Sequence, residues 1–98
     1  LTAALQIHSV EARHASEIRR LRGLEGWITG NERGAGMPAA TQAVYDGATT
    51  EANIMQGGLD VTTLGSGSPF TMDAATQAYD EILTGDEAVT IASLFIES

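Results

Sequence analysis

The sequence predicts a mainly α-helical protein, and three features of the chain indicate this. Residues 2–22 contain neither Gly nor Pro. Residues 23–70 hold ten of the eleven glycines, which favours turns and irregular structure. Residues 71–98 return to a helical pattern and carry two helix-start signals. We therefore expect one long helix, then a long irregular Gly-rich segment, then short C-terminal helices.

The first predicted helix, residues 2–22, is amphipathic. At about 100° per residue, most of its apolar side chains fall on one face. We call this face the apolar stripe, and it consists of Ala3, Ile7, Val10, Glu11, His14, Ile18 and Leu21. Thr2 is a candidate N-cap, and Gly23 stands where glycine commonly ends a helix. Two ionisable residues therefore lie within an otherwise apolar face.

The Gly-rich segment, residues 23–70, contains repeated turn signals. Within it, residues 38–45 predict a short helical turn with Pro38 at its first position. Residues 59–64 predict a brief extended piece. A mostly irregular stretch of about fifty residues is rare in a self-contained small domain. We expect it to wrap around another part of the same protein or a neighbouring chain.

Two start signals mark the C-terminal helices. Thr71 is predicted to cap a short helix that runs to about Asp80. Thr84 and Glu87 have the spacing of a capping box, which predicts a helix that runs to about Ile96.

A pentamer, Ala-Ala-Thr-Gln-Ala, occurs at residues 39–43 and again at 74–78. Solenoid architectures need at least three repeats. We interpret the two copies as local composition and helix propensity rather than as a duplication.

Composition and charge exclude several classes of protein. The 98 residues make at most one small domain, with five basic and 13 acidic residues and a net charge of −8. Binding to DNA or RNA requires clustered positive charge, so a nucleic-acid partner is not expected. Cysteine is absent, which excludes disulfides and thiol catalysis. No apolar run approaches the roughly 20 residues that a membrane span requires.

The charge is unevenly distributed and the potential core is thin. Residues 1–33 hold five Arg and four Glu, a net charge of +1; residues 34–98 hold nine acidic residues and no basic one, a net charge of −9. Only two Phe, one Trp and two Tyr are present. We expect the bundle helix 1–22, the wrapping segment 23–70 and the short helices 71–98 to form parts of one incomplete domain.

Glu11 and His14 are the candidate metal ligands. Residues three apart on a helix share a face, so one carboxylate and one imidazole can converge on a single ion. Carboxylate-bridged di-iron bundles use two Glu-x-x-His helices and two further Glu residues. A second Glu-x-x-His is absent from the chain. The alternative is a Glu–His or Glu–Arg pair packed in a helix interface, because a buried carboxylate needs a partner.

Other ionisable and aromatic residues have simpler interpretations. His8 lies off the stripe and is expected in solvent, and Glu17 is expected in a solvated pair with a neighbouring Arg. Trp27 is interpreted as a hydrophobic anchor for the returning chain. Asp80–Glu81 and Asp86–Glu87 are interpreted as acids at helix starts, since no loop has the spacing of a calcium-binding EF-hand.

Two parts of the chain resemble the ferritin-like domain found in desiccation-related proteins. The first is the helix run Ala4-Leu5-Gln6-Ile7-His8-Ser9-Val10-Glu11-Ala12-Arg13-His14-Ala15, which is similar to the last bundle helix of that family. The second is the tail Ala75-Thr76-Gln77-Ala78-Tyr79-Asp80-Glu81-Ile82-Leu83-Thr84, with Glu87-Ala88-Val89 and Ala92-Ser93-Leu94-Phe95-Ile96. The resemblance covers residues 3–22 and 74–96, and it does not extend to the loop between them.

The resemblance implies a four-helix ferritin-like bundle with a C-terminal extension. Glu11 and His14 would then be ligands of the fourth helix, for iron or manganese. Three preceding helices would have to supply the other ligands. Many members of the family have no established activity, and they are commonly exported, which implies a periplasmic or extracellular location.

Two functions follow as hypotheses. In the first, the chain is a ferritin-like structural scaffold that packs in a larger bundle or homo-oligomeric assembly. Its partners are the missing bundle helices or neighbouring chains. In the alternative, Glu11 and His14 contribute to a carboxylate-bridged di-iron or manganese site of an oxidoreductase or metal-binding protein. The sequence favours the structural hypothesis slightly, and it does not decide whether the protein is an enzyme.

Overall fold

A computed structural model describes residues 1–67 and 69–96 of the chain. The fold is mainly helical, with three α-helices and a hairpin of two short strands. These are α1 (Thr2–Leu21), β1 (Met55–Gln56), β2 (Leu59–Asp60), α2 (Met72–Gln77) and α3 (Gly85–Ala92). Two 3-10 helices, Ala39–Val44 and Val61–Thr63, complete the described elements. The prediction of a mainly α-helical protein is confirmed.

The C-terminal end of α1 is set by a glycine. Gly23 has a φ of +78°, a conformation that residues with a Cβ rarely adopt. Its N–H donates to the carbonyl of Arg20 at 2.9 Å, and the N–H of Leu24 donates to the carbonyl of Arg19 at 3.0 Å. This pair of bonds is the Schellman motif. The expected helix end is confirmed, with Arg22 as the C-cap, whereas Leu1 and not Thr2 is the N-cap.

Helix α1 extends away from the rest of the molecule. Twenty residues of α-helix are about 30 Å long, and the molecule measures 53 × 32 × 31 Å. The radius of gyration is 15.2 Å, compared with about 13 Å for a compact domain of 100 residues. No residue of α1 is buried. The remaining chain, which we call the body (residues 24–67 and 69–96), does not pack along the length of this helix.

The hairpin lies inside the Gly-rich segment. Gly57 and Gly58 form its two-residue turn with φ values of +57° and +80°, as a type I′ turn requires. The extended piece expected over residues 59–64 is limited to Leu59–Asp60. It ends there because the side chain of Asp60 accepts a hydrogen bond from the N–H of Thr62 at 2.9 Å and caps a 3-10 helix.

The other short helices begin as expected but differ in length and type. The turn predicted at residues 38–45 is a 3-10 helix, and Pro38 precedes it as the N-cap rather than opening it. Helix α2 ends at Gln77, three residues before the expected end, and α3 ends at Ala92 rather than near Ile96.

The caps predicted for α2 and α3 are both confirmed. The hydroxyl of Thr71 accepts a hydrogen bond from the N–H of Ala74 at 3.0 Å. The hydroxyl of Thr84 accepts from the N–H of Glu87 at 3.2 Å, and the carboxylate of Glu87 accepts from the N–H of Thr84 at 2.8 Å. The last two bonds form a complete capping box.

The core of the described chain is small. Four of its side chains are buried, namely Val61, Ala75, Thr41 and Thr76. None of them is large, and two are polar. The stability of the body therefore depends strongly on hydrogen bonds between side chains and backbone.

Candidate functional site

The apolar stripe of α1 is exposed along its whole length. Ile7 is 63% exposed, Ile18 58% and Leu21 78%. The side chain of Val10 is also exposed, at 41%. Single apolar side chains on a protein surface are common. A largely apolar face along a projecting helix is instead typical of an interaction surface.

The body of the molecule contacts the opposite face of α1. The guanidinium Nε–H of Arg19 donates to the backbone carbonyl of Glu25 at 3.0 Å. The chain passes so close at Gly26 that an added Cβ would lie 2.5 Å from the hydroxyl of Ser16. Ser16 and Arg19 are the only residues of α1 that are partly buried. At about 100° per residue, Ser16 lies opposite Ile7 on the helix, so the body leaves the stripe uncovered.

The two Ala-Ala-Thr-Gln-Ala copies contact residues 25–31, which connect α1 to the rest of the body. The side-chain amide of Gln77 donates to the carboxylate of Glu25 and to the hydroxyl of Thr29, the latter at 2.7 Å. From the other copy, the amide of Gln42 donates to the carbonyl of Asn31 at 2.8 Å. Both glutamines thus bind the segment that follows α1. Our sequence interpretation missed this role, although the repeated pentamer was the signal for it.

The threonines of the two copies are also equivalent in position. Thr41 and Thr76 are each 7% exposed. Each hydroxyl donates to the carbonyl three residues earlier, at 2.7 Å for Thr41 and 2.9 Å for Thr76. Thr76 additionally accepts from the N–H of Gly30 at 3.0 Å. The two threonines therefore bond their own helical turns in the same way, Thr41 in a 3-10 helix and Thr76 in α2, but of the two it is Thr76 that also binds the segment following α1.

Glu11 and His14 lie on the stripe and are exposed. Within residues 1–67 and 69–96, neither side chain has a hydrogen-bond partner, and no three Asp, Glu, His or Cys side chains gather closely enough to hold a metal ion. A di-iron site of the ferritin-like type needs about six protein ligands. The two donors of this chain do not fit such a group by themselves, so any such site requires ligands from other helices.

Carboxylates of the body act mainly as hydrogen-bond acceptors. Asp46 accepts from the side chains of Asn31 and Gln42, both at 2.9 Å, and these bonds hold its pKa below the ordinary value. The pKa of Glu87 is also lowered, because its carboxylate accepts from the backbone N–H groups of Thr84 and Ala48. The bond to Ala48 joins α3 to the loop before the hairpin.

Glu51 is the exception among these carboxylates. Partial burial raises its pKa, and the negative charges of Asp80 and Glu81 add to the shift. The N–H of Glu81 opposes the shift by donating to the Glu51 carboxylate at 3.4 Å. The fold therefore disfavours the charged form of Glu51.

Other residues singled out in the sequence have these positions. His8 is exposed, as expected. Trp27 is 49% exposed, and its indole N–H donates to the carboxylate of Glu25 at 3.1 Å. Asp86 and Glu87 lie in the first turn of α3, as predicted. The same interpretation is wrong for Asp80–Glu81, which precede no helix directly; Glu81 instead accepts from the side-chain amides of Asn53 and Gln56.

Neither a protein-family model, nor a curated protein, nor a solved structure matches this chain. The resemblance to ferritin-like desiccation-related proteins therefore stays a prediction. Among the described helices, none has the length and apolar character to cross a membrane.

Proposed function

We propose that the protein is a structural scaffold in which α1 packs, through its apolar stripe, against other helices in a bundle or assembly. The body fixes the direction in which α1 projects. The resemblance of residues 3–22 to a ferritin-like bundle helix supports the same role.

One observation carries this proposal. The molecule covers the polar side of α1 at Ser16 and Arg19 and leaves Ile7 and Ile18 exposed on the other side. Helices in proteins are stabilised mainly by packing of an amphipathic face rather than by their intrinsic propensity. The stripe is therefore the surface through which α1 would gain its stability.

Size measurement by light scattering tests the proposal. The chain is expected to form a species larger than a monomer. Ile18→Asp places a charge in the stripe and is expected to reduce the species to a monomer. Ser9→Asp adds the same charge on the far side of the helix and is the matched control, which is expected to leave the size unchanged. A monomeric parent chain with a stable α1 would contradict the proposal, as would equal effects of the two variants.

The alternative function is a metal site completed by partner helices. It is favoured by the placement of Glu11 and His14 on the same face that is available for packing. In that case Glu11→Gln would lower the iron or manganese content of the assembled protein, as measured by elemental analysis. An assembled protein that contains neither metal when purified from metal-supplemented medium would contradict this alternative.

A further inference from the structure

We propose that the occupant of the apolar stripe is α1 of a second copy of this chain, packed antiparallel, with Glu11 of each copy facing His14 of the other. This inference rests on the proposed function and specifies the partner. It follows from the spacing of the stripe, the positions of its two ionisable residues and the placement of the body.

The exposed face of α1 contains a coiled-coil seam. We use that term for six residues whose spacing alternates between three and four, namely Ala4, Ile7, Glu11, His14, Ile18 and Leu21. This is the a/d spacing of a heptad repeat. All six are exposed. Val10 borders the seam and widens its apolar surface.

The seam has the same pattern in both directions. When a second α1 is laid antiparallel with the centres of the two seams opposed, Ile7 meets Ile18 of the second copy. In the same register Ala4 meets Leu21, and Glu11 meets His14. Every position of the seam is then matched, and each contact occurs twice, as a two-fold symmetric interface requires.

Charge selects the antiparallel arrangement over the parallel one. In a parallel pair with the same seam, Glu11 faces Glu11 and His14 faces His14. Two carboxylates that face each other across an interface repel, and a polar residue in a seam sets register and orientation. The antiparallel pair instead places a carboxylate beside an imidazole in both central contacts. This accounts for the two ionisable residues in the stripe without a metal ion.

The rest of the molecule favours the same arrangement. Residues 34–98 carry a net charge of −9, and the body sits at the C-terminal end of α1 on the face opposite the stripe. A parallel pair would bring two acidic bodies to the same end. An antiparallel pair places them at opposite ends of a helix about 30 Å long, so their mutual repulsion is smaller.

Disulfide trapping tests the orientation, because the chain has no cysteine of its own. Ile7→Cys and Ile18→Cys chains are mixed and oxidised. The antiparallel register predicts a mixed 7–18 disulfide as the main product. It predicts little 18–18 product, since eleven residues of helix separate those positions by about 16 Å along the axis, and a disulfide requires Cα atoms within about 7 Å. Predominant 7–7 and 18–18 products would overturn the proposal.

Charge substitution tests the central contacts independently. His14→Glu opposes two carboxylates and is expected to weaken self-association at least about tenfold. The double variant Glu11→His/His14→Glu restores both Glu–His contacts and is expected to recover most of the loss. Sedimentation equilibrium measures each association constant. Failure of the double variant to recover association, while it retains the helical circular dichroism of the parent, would contradict the proposed contacts.

These outcomes are distinguishable from failure of the proposed function. Assembly that depends on Ile18 but yields parallel disulfides would overturn the antiparallel pairing and leave the scaffold function intact. A parent chain that remains monomeric would overturn both.

Discussion

Side-chain carboxylates and amides, rather than large apolar groups, organise the body of this protein. Asp46, Glu81 and Glu87 each accept at least two hydrogen bonds, and each has at least one donor that is fifteen or more residues away in the sequence. The excess negative charge of residues 34–98 therefore has a structural role. Glu51 shows the cost of this arrangement, because its carboxylate lies partly buried near two other acids.

Substitution of Glu51 by Gln is expected to stabilise the body at neutral pH. Its folded pKa is raised above the ordinary 4.5, so its contribution to stability is fully present below that pH and is lost as pH rises through the folded value. Glu51→Gln removes the charge that causes this loss. Thermal unfolding should show a higher midpoint for the variant at neutral pH, and the difference should shrink as the pH falls through the raised folded pKa toward 4.5. A lower midpoint at neutral pH would contradict the assigned cause.

The buried threonines of the repeated pentamer provide a matched pair of variants. Thr76→Val leaves the N–H of Gly30 without its acceptor and is expected to cost about 1–3 kcal/mol of unfolding free energy. Thr41→Val removes an equally buried hydroxyl that bonds only its own helical turn, so a smaller loss is expected. Urea unfolding measures both. Equal losses would show that the bond to Gly30 contributes little.

At the scale of elements, the caps of α2 and α3 and the end of α1 were predictable from the sequence, whereas the ends of α2 and α3 were not. The caps Thr71 and Thr84 and the C-terminal Gly23 are local features, since the groups they bond lie within four residues. The early end of α2 at Gln77 coincides with the bonds of that side chain to Glu25 and Thr29, about fifty residues away in sequence. Such long-range bonds leave no local pattern. For the same reason the sequence placed Glu11 and His14 on one face but did not reveal which face the body covers.

Removal of the cap of α3 is expected to destabilise the body locally. Thr84→Ala deletes the acceptor for the N–H of Glu87, at a cost of about 0.5–2 kcal/mol. Thr84→Ser retains a hydroxyl and is the control, with a smaller expected effect. The unfolding free energy in urea should fall for the alanine variant, and hydrogen exchange should quicken in residues 85–92 before other parts of the body. Unchanged exchange there would contradict the role of the capping box.

At the scale of the whole molecule, acid should weaken the fold through its hydrogen-bonded carboxylates. The folded pKa values of Asp46 and Glu87 lie below their ordinary values of 3.8 and 4.5. The stability that they contribute is present above those values and is lost as pH falls through the lowered folded ones. The temperature at the midpoint of thermal unfolding should therefore fall when the pH is lowered below about 4. The fall should be less steep in Asp46→Asn. An identical acid dependence in that variant would exclude Asp46 as a cause.

The molecule thus has two unequal parts. The body folds on a small core and many polar contacts, while α1 offers an apolar face that the body does not use. The thin core expected from the scarcity of large side chains is present, and the apolar stripe of α1 lies outside it. In our account this surface is an interface, and the stability of α1 depends on what covers it.

Hydrogen exchange of α1 at different protein concentrations tests this account most directly. Amides of residues 5–21 should become protected as concentration rises, while protection in residues 72–77 stays constant. In Ile18→Asp the protection of α1 should be lost at every concentration. Protection of α1 that is independent of both concentration and Ile18 would contradict the claim that its apolar face is a packing surface.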